Sequence, residues 1–437
     1  MPFQLRPRWL ATRGAGAAAL TVALLALSAC SADYPNSVFH SRTEFNRDTD
    51  ALFQLIINLG VVVFVLVFVL LLVTMWRYRS RPGQRAPEHV HGNTTLEILW
   101  TVIPALILVW IAIPTVRTIF RTQAPAPAGA LQIEVIGHQW WWEFRYPEYG
   151  IVTANELYLP KGRTVNFALK TQDVIHSFWV PALGGKRDLI ANRTNHLWMT
   201  PDSTTEKAFN GACVEYCGAS HANMRFRAFV VDPAEFDSWA AHERSAAVFQ
   251  LAGAAPAPAV PPPAAGGTER AGPTVASTGP GTPVGGAGGA VSQAGYYFPA
   301  AELPKHVAAY APIPDGLTID DAVLAAGDAQ RGGALMTSGM GGCVGCHTIS
   351  GAKNMVGILG PNLTHIGSRL TLGAGLFPND AKHLALWIKN ARLMKPGITM
   401  PTIGKGQIDP QTKKPSQMGM LTDQQIADMV AYLRALK

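Results

Sequence analysis

Two uncharged stretches, each long enough to cross a bilayer, restrict what this 437-residue chain can become. Residues 51–76 have only Gln54, Asn58 and Thr74 as clearly polar members, and residues 98–116 carry no charge either. As helices, such stretches span a ~30 Å hydrocarbon core. Pro104 and Pro114 fall inside the second, where a membrane helix can repair the lost hydrogen bond. The connecting loop holds Arg77, Arg79, Arg81 and Arg85, and the segment ahead of the first helix is net acidic. The positive-inside rule then puts the loop in the cytoplasm and both flanks outside. Arg117 and Arg121 run against this trend at the outer end. The expectation is a helical hairpin within residues 31–122 (helices at 51–76 and 98–118), with most of the chain on the outer side.

Residues 1–30 read as an export signal: Arg6, Arg8 and Arg13, an apolar run, then "LSAC" ending at Cys30. The "LSAC" resembles a bacterial lipoprotein signal, in which the cysteine is acylated after cleavage. From Leu131 the pattern changes. "LQIEVIG", "TVNFALK" and "RFRAFVV" alternate apolar and polar residues, the period of half-buried strands. Residues 123–243 are therefore expected to form a compact all-β domain. Residues 244–295 are dominated by Ala, Pro and Gly and read as a linker. Residues 296–437 are expected to be an all-α domain, ending in a helix capped by Thr422 with an apolar stripe of Ile426, Met429, Val430 and Leu433.

Four of the five cysteines form two tight pairs. "CVGCH" is C-x-x-C-H, the attachment sequence of a c-type haem. Cys343 and Cys346 would bond the vinyl groups, and His347 would ligate the iron. A distal methionine raises the potential of such carriers, and Met400 in "GITMP" is the candidate, with Met394, Met418 and Met420 as competitors. The other pair lies in "CVEYCGASHANM". A disulfide between residues four apart is unusual and leaves His221 and Met224 unexplained. Zinc accepts thiolate and imidazole, but methionine is a poor zinc ligand. Two thiolates with imidazole and thioether favour copper.

The run C-x-E-x-C-x-x-x-H-x-x-M resembles the dinuclear Cu-A site of cytochrome c oxidase subunit II. That resemblance implies that Cys213 and Cys217 bridge two coppers and that His176, in "DVIHSFWVP", and Met224 complete one of them. His221 and the backbone carbonyl of Glu215 complete the other. It implies a magnesium ion shared with subunit I at the Glu215 side chain. "GHQWWWEF" looks like the family's aromatic segment, whose first tryptophan, here Trp140, receives electrons; the common form has tyrosine in place of Trp141. Trp141 and Trp142 read equally well as core. "TLEILWTVIPALIL" resembles the start of the second membrane helix, putting Glu97 at the cytoplasmic mouth of a proton path; a solvated helix-end carboxylate is the plainer reading. The implied fold is a cupredoxin-like Greek-key barrel. The C-terminal domain resembles class I cytochrome c through "GDAQRG", "GPNLTHIG" and Met400-Pro401, with Pro361 beside His347. The fusion points to the caa-type oxidases of the bacterial inner membrane. The implied partners are subunits I and III, with cytochrome c or complex III as donor.

A rival is a periplasmic copper-binding or assembly lipoprotein with a haem domain, which leaves Met224 and the hairpin unexplained. A nitrous-oxide-reductase-like enzyme would need a second, histidine-rich cluster, and the twelve histidines are scattered. Quinol oxidase subunits share the fold without the copper ligands. The net charge of +7 does not argue for nucleic acid in an exported protein. Residues 121–243 hold 11 Lys and Arg against 13 Asp and Glu, whereas residues 296–437 hold 13 against 9. Opposite net signs favour docking of the two domains. The linker, as a coil of ~5–6 Å × √n, spans about 40 Å, so the sequence suggests a weakly docked haem domain free to swing out to a donor.

Overall fold

The computed structural model describes residues 36–79, 82–83, 91–202, 206–245, 247, 296–308 and 311–437. The signal segment with Cys30, the loop residues Arg81 and Arg85, and the bulk of the linker lie outside the described residues.

Helix α1 (Glu44–Arg77) starts ahead of its apolar run because Thr43 caps it, accepting from the Asn46 N–H. That start is welded to the β-domain. Thr43 Oγ1 donates to the Leu183 carbonyl at 2.6 Å, and Asn46 Nδ2 donates to the Pro181 and Ala182 carbonyls. Helix α2 (Thr94–Gln123) begins at Asn93, whose side chain accepts from the N–H groups of Thr95 and Leu96. Near their outer ends Arg121 pairs with Asp48 at 3.0 Å. Of the two arginines that run against the positive-inside trend, Arg121 is thus paired with an acid. The most apolar stretch of each helix is wholly exposed, as a membrane anchor requires.

Ten strands follow: β1 (Leu131–His138), β2 (Trp141–Tyr146), β3 (Ile151–Ala154), β4 (Glu156–Pro160) and β5 (Val165–Thr171) come first. β6 (His176–Val180), β7 (Gly184–Leu189), β8 (Asn195–Met199), β9 (Ala208–Cys213) and β10 (Arg225–Val231) complete the domain. They form two five-stranded sheets, β3-β2-β1-β5-β8 and β4-β10-β9-β6-β7. β1 with β5 and β4 with β10 are parallel, and the remaining pairs are antiparallel. The alternation in sequence becomes alternation in burial: Leu131, Ile133 and Val135 of β1 all face inward. Trp142, Phe178 and Phe226 meet between the sheets in edge and stacked contacts. This is the expected cupredoxin-like sandwich.

Helix α3 (Pro233–Arg244) opens with a capping box of Asp232 and Glu235 and lays Trp239 flat on Tyr158 at 4.6 Å. The chain reappears at Tyr296 on the same surface. The Phe298 ring stacks on Phe229 at 4.8 Å, and its N–H donates to the Tyr158 hydroxyl. Residues 296–307 thus lie along the β-domain before the haem-motif unit begins. That unit is helical: α4 (Asp321–Ala325), α5 (Ala329–Thr337), α6 (Cys343–Cys346), α7 (Ala381–Met394) and α8 (Asp423–Ala435). Thr422 and Gln425 form the N-terminal box of α8, and Ile426, Met429, Val430 and Leu433 are buried as expected. Where α5 crosses α8, a Cβ on Gly332 would lie 2.0 Å from the Asp428 carbonyl oxygen, so only glycine fits.

The two globular units are not held apart. The buried Glu156 carboxylate of β4 accepts from the backbone N–H groups of Leu370 (2.8 Å) and Thr371 (3.0 Å) and from the Thr371 hydroxyl. Arg227 of β10 donates to the carbonyls of Val307 (2.6 Å) and Gly375 (2.8 Å). The weak docking suggested by net charge is replaced by buried, directed hydrogen bonds. Net charge reports the exposed surface, and these groups are not on it.

Candidate metal centre and haem-attachment site

β9 ends at Cys213 and β10 starts at Arg225, and the loop between them folds back on itself. Its base is closed by the Cys213 N–H donating to the Met224 carbonyl at 3.0 Å. β6 lies beside β9, with Phe178 opposite Cys213 and the Val214 N–H donating to the Ser177 carbonyl. His176, the first residue of β6, thereby reaches the loop from the neighbouring strand.

Sulfur and nitrogen donors converge there. Cys213 Sγ lies 3.7 Å from Cys217 Sγ, 3.9 Å from His176 Nδ1 and 3.2 Å from the Glu215 carbonyl oxygen. Cys217 Sγ lies 3.5 Å from His221 Nδ1 and 3.7 Å from Met224 Sδ. The sulfurs are far beyond the ~2.05 Å of a disulfide, and both thiols are free. A hydrogen bond from Cys217 draws the Cys213 thiol well below its ordinary pKa, although burial opposes this. The same contact, with burial, pushes the second proton up on Cys217. A buried anionic sulfur among soft donors suits a cation that accepts thiolate, imidazole and thioether together, and copper does. The donor set therefore fits a copper pair without rearrangement of the fold.

The supporting groups were not legible in the sequence. Asp173 Oδ1 holds His176 Nε2 at 2.7 Å, which leaves Nδ1 toward the sulfurs. Burial works against the Asp173 charge, yet the His176 hydrogen bond and the Gln139 and Val174 N–H groups keep its pKa below the usual range. Gly137 of β1 faces the imidazole, where a Cβ would sit 2.6 Å from His176 Cδ2. Trp140 is almost fully buried, and its indole Nε1–H donates to the Cys217 carbonyl at 2.9 Å. Gln139 Nε2 donates to the same oxygen at 2.8 Å. Trp142 is a core residue, as its plainer reading held, and Trp141 stacks on His138 at 4.1 Å. The Glu215 side chain is exposed. Glu97 sits in the exposed first turn of α2, away from these groups.

In the helical unit, α6 is a single turn carrying Cys343 and Cys346, entered through Gly342 at φ 76°. His347 Nδ1–H donates to the Pro361 carbonyl at 2.8 Å, which leaves Nε2 for an iron. Gly360 makes that approach possible, since a Cβ there would meet His347 Cε1 at 2.6 Å. The two free thiols with an oriented imidazole fit haem c. Of the methionines, Met394 is packed in the core of the unit, Met418 and Met420 are exposed, and Met400 is half-buried against the β-domain.

Comparison with known proteins gives three family profiles in chain order. They are the transmembrane domain of cytochrome c oxidase subunit II (residues 40–118), the periplasmic domain of that subunit (150–231) and cytochrome c (329–437). Cytochrome c oxidase subunit 2 of Alkalihalophilus pseudofirmus is 29% identical over 381 residues, covering 86% of this chain and 83% of that protein. The probable subunit 2 of Rickettsia bellii is 32% identical over 216 residues, covering 45% of this chain and 78% of that one. The periplasmic domain of subunit II of Bradyrhizobium japonicum is 30% identical, covering 27% of this chain and 96% of that structure at a TM-score of 0.26. A copper-binding domain and a haem-binding domain are thus joined on one membrane anchor, and the chain belongs to the cytochrome c oxidase subunit II family.

Proposed function

We propose that this chain receives electrons for a respiratory haem–copper oxidase of the bacterial inner membrane, with its own haem domain as the immediate donor. The observation that carries this reading is the contact of five side-chain donors, four from the loop between β9 and β10 and His176 from β6, with the Trp140 indole bonded to the backbone of one of them. Cys213 and Cys217 would hold both coppers, with His176 and Met224 as the further ligands of one and His221 with the Glu215 carbonyl as those of the other. When bound, the copper pair and haem c each exchange one electron at a time. The protein supplies a rigid, dry setting in which little has to move on transfer. Asp173 fixes the His176 ring, and Trp140 presents a π-system between the cysteine backbone and the domain surface. His347, oriented by Pro361, would hold the haem iron, with Met400 as its other protein ligand.

The exposed Glu215 carboxylate is available to a magnesium ion shared with subunit I. The arginine loop sets the topology, so residues 123–243 and 296–437 lie on the periplasmic side of the 31–122 hairpin, joined by 244–295. Subunits I and III cover the exposed faces of α1 and α2, and cytochrome c or complex III reduces the haem. Oxygen reduction belongs to subunit I. Glu97 collects protons for subunit I. Glu97→Ala slows steady-state oxygen uptake and leaves haem c to Cu-A transfer intact; equal turnover at every pH reduces Glu97 to a surface charge.

Purification with the membrane partners tests the whole assignment. Metal analysis should give two coppers and one haem c per chain, with a near-infrared mixed-valence band. Met400→Ala should remove the sulfur-to-iron band and lower the haem potential, since thioether ligation favours reduced iron. A chain that binds copper with no mixed-valence band would instead be a copper carrier.

A further inference from the structure

Lys395 has no role in either metal site, yet it is only 2% exposed. Its Nζ donates to the Trp140 carbonyl of the β-domain at 2.7 Å and to the Gly373 carbonyl of its own domain at 3.1 Å. A lysine amine is rarely buried without a purpose, because taking it out of water is costly. Burial accordingly draws its pKa down to about 7. Both hydrogen-bond partners are backbone carbonyls, and attraction to the Cys217 sulfur opposes the downward shift. Close packing accompanies it. A Cβ on Gly397 would lie 2.8 Å from the Ala219 side chain, and Ile398 and Met400 pack into the β-domain cluster. The Met400 loop is thereby set against the copper loop at residues 219–220.

A continuous set of contacts follows from this amine. Lys395 binds the Trp140 carbonyl, the Trp140 indole binds the Cys217 carbonyl, and Cys217 Sγ is the hub of the donor cluster. We propose that Lys395 is a positioning residue for electron transfer, pinning the Met400 loop of the haem domain to the backbone of Trp140 so that the haem domain works docked rather than as a swinging shuttle. This rests on the electron-accepting function proposed above. The step itself moves one electron from the haem side, which is oxidised, to the copper side, which is reduced; no bond is made or broken. Loss of the pin lowers the fraction of chains in the transfer geometry, and two hydrogen bonds at about 0.5–1.5 kcal/mol each are strong enough to shift such a population about tenfold.

Two measurements on the assembled oxidase decide this. In the first, the wild-type complex is treated with an amine-acetylating reagent and lysines are followed by mass spectrometry. Lys395 should react at least about tenfold more slowly than the exposed Lys405, Lys413 and Lys414, because it reacts only through transient undocking. Labelling at the rate of those three overturns the docked arrangement, whatever the metal content. In the second, K395M and K395R are compared by rapid-mixing kinetics. K395M should slow haem c to Cu-A transfer about tenfold with both metal spectra retained, and K395R, which keeps the charge and can still donate to two carbonyls, should recover most of the rate. Wild-type transfer in K395M overturns the positioning role. Absence of the copper or haem signature from the wild-type complex would instead overturn the electron-accepting reading, and the labelling result would still report on docking.

Discussion

Exchange of Cys217 for serine is expected to abolish the copper pair while the β-domain remains folded. Its sulfur touches three other donors, Cys213, His221 and Met224, whereas Cys213 Sγ touches Cys217, His176 and a backbone carbonyl. Removing the hub separates the His221 and Met224 donors from the rest. A serine hydroxyl is a hard donor that stays protonated at neutral pH, so it cannot replace a bridging thiolate for a soft metal. Loss of even an outer hydrogen-bond partner of a ligand lowers metal affinity about 10- to 100-fold, and loss of a shared ligand should exceed that. The near-infrared band and oxygen uptake should both vanish, while the haem c bands persist. Circular dichroism should be unchanged, because the loop base is closed by the Cys213–Met224 backbone bond and not by the Cys217 side chain. Retention of two coppers in Cys217→Ser would remove the assignment.

Much of this molecule was legible from side-chain chemistry and period. The hairpin followed from two uncharged stretches, the sandwich from strand alternation, and the metal loop from the spacing of Cys213, Cys217, His221 and Met224. Each of those signals is local, lying within one continuous stretch of the chain. His176 came from family resemblance, because the strand pairing that brings β6 against β9 has no local signature. The roles of Gly137 and Gln139 are hidden for the same reason, since they exist only after distant strands meet; Asp173 lies three residues from His176, but a carboxylate at that spacing carries no signal until the turn aims it at the ring. The largest misjudgement concerned the haem domain. Its net charge and the loose composition of the linker suggested a weak, mobile partner. The contacts that hold it belong to Glu156, Arg227 and Lys395, three buried residues that bond to backbone groups 80 or more positions away, such as Val307 for Arg227. A backbone carbonyl has no identity in a sequence, so interfaces built this way cannot be read from composition.

Arg227 offers the sharpest measure of that interface. It is fully buried at the register position directly opposite Glu156 on the adjacent parallel strand. Its guanidinium serves three carbonyls: Val307 through Nε, Gly375 through Nη2 and Phe226 through Nη1. Burial lowers its pKa to about 10, so it remains a cation at neutral pH. Arg227→Met keeps an apolar stem of similar length and removes every donor. The Val307 and Gly375 carbonyls then lose a partner inside the protein, at about 1–3 kcal/mol for each buried polar group left unsatisfied. Burial already pushes the Glu156 pKa up, with the Arg369 charge opposing; without Arg227 less positive charge remains to hold the carboxylate ionised. The expected loss is therefore about 2–6 kcal/mol for the two carbonyls together, and it falls on docking more than on the sandwich, because both belong to the chain beyond the linker. Denaturant unfolding of the assembled subunit should therefore split into two transitions, with the haem domain released first, and Lys395 should become accessible to acetylation in the same variant. A domain held only by a flexible tether and weak surface charge would lose almost nothing from this substitution. An unshifted single transition, with Lys395 still protected, would mean that these hydrogen bonds do not hold the two domains together.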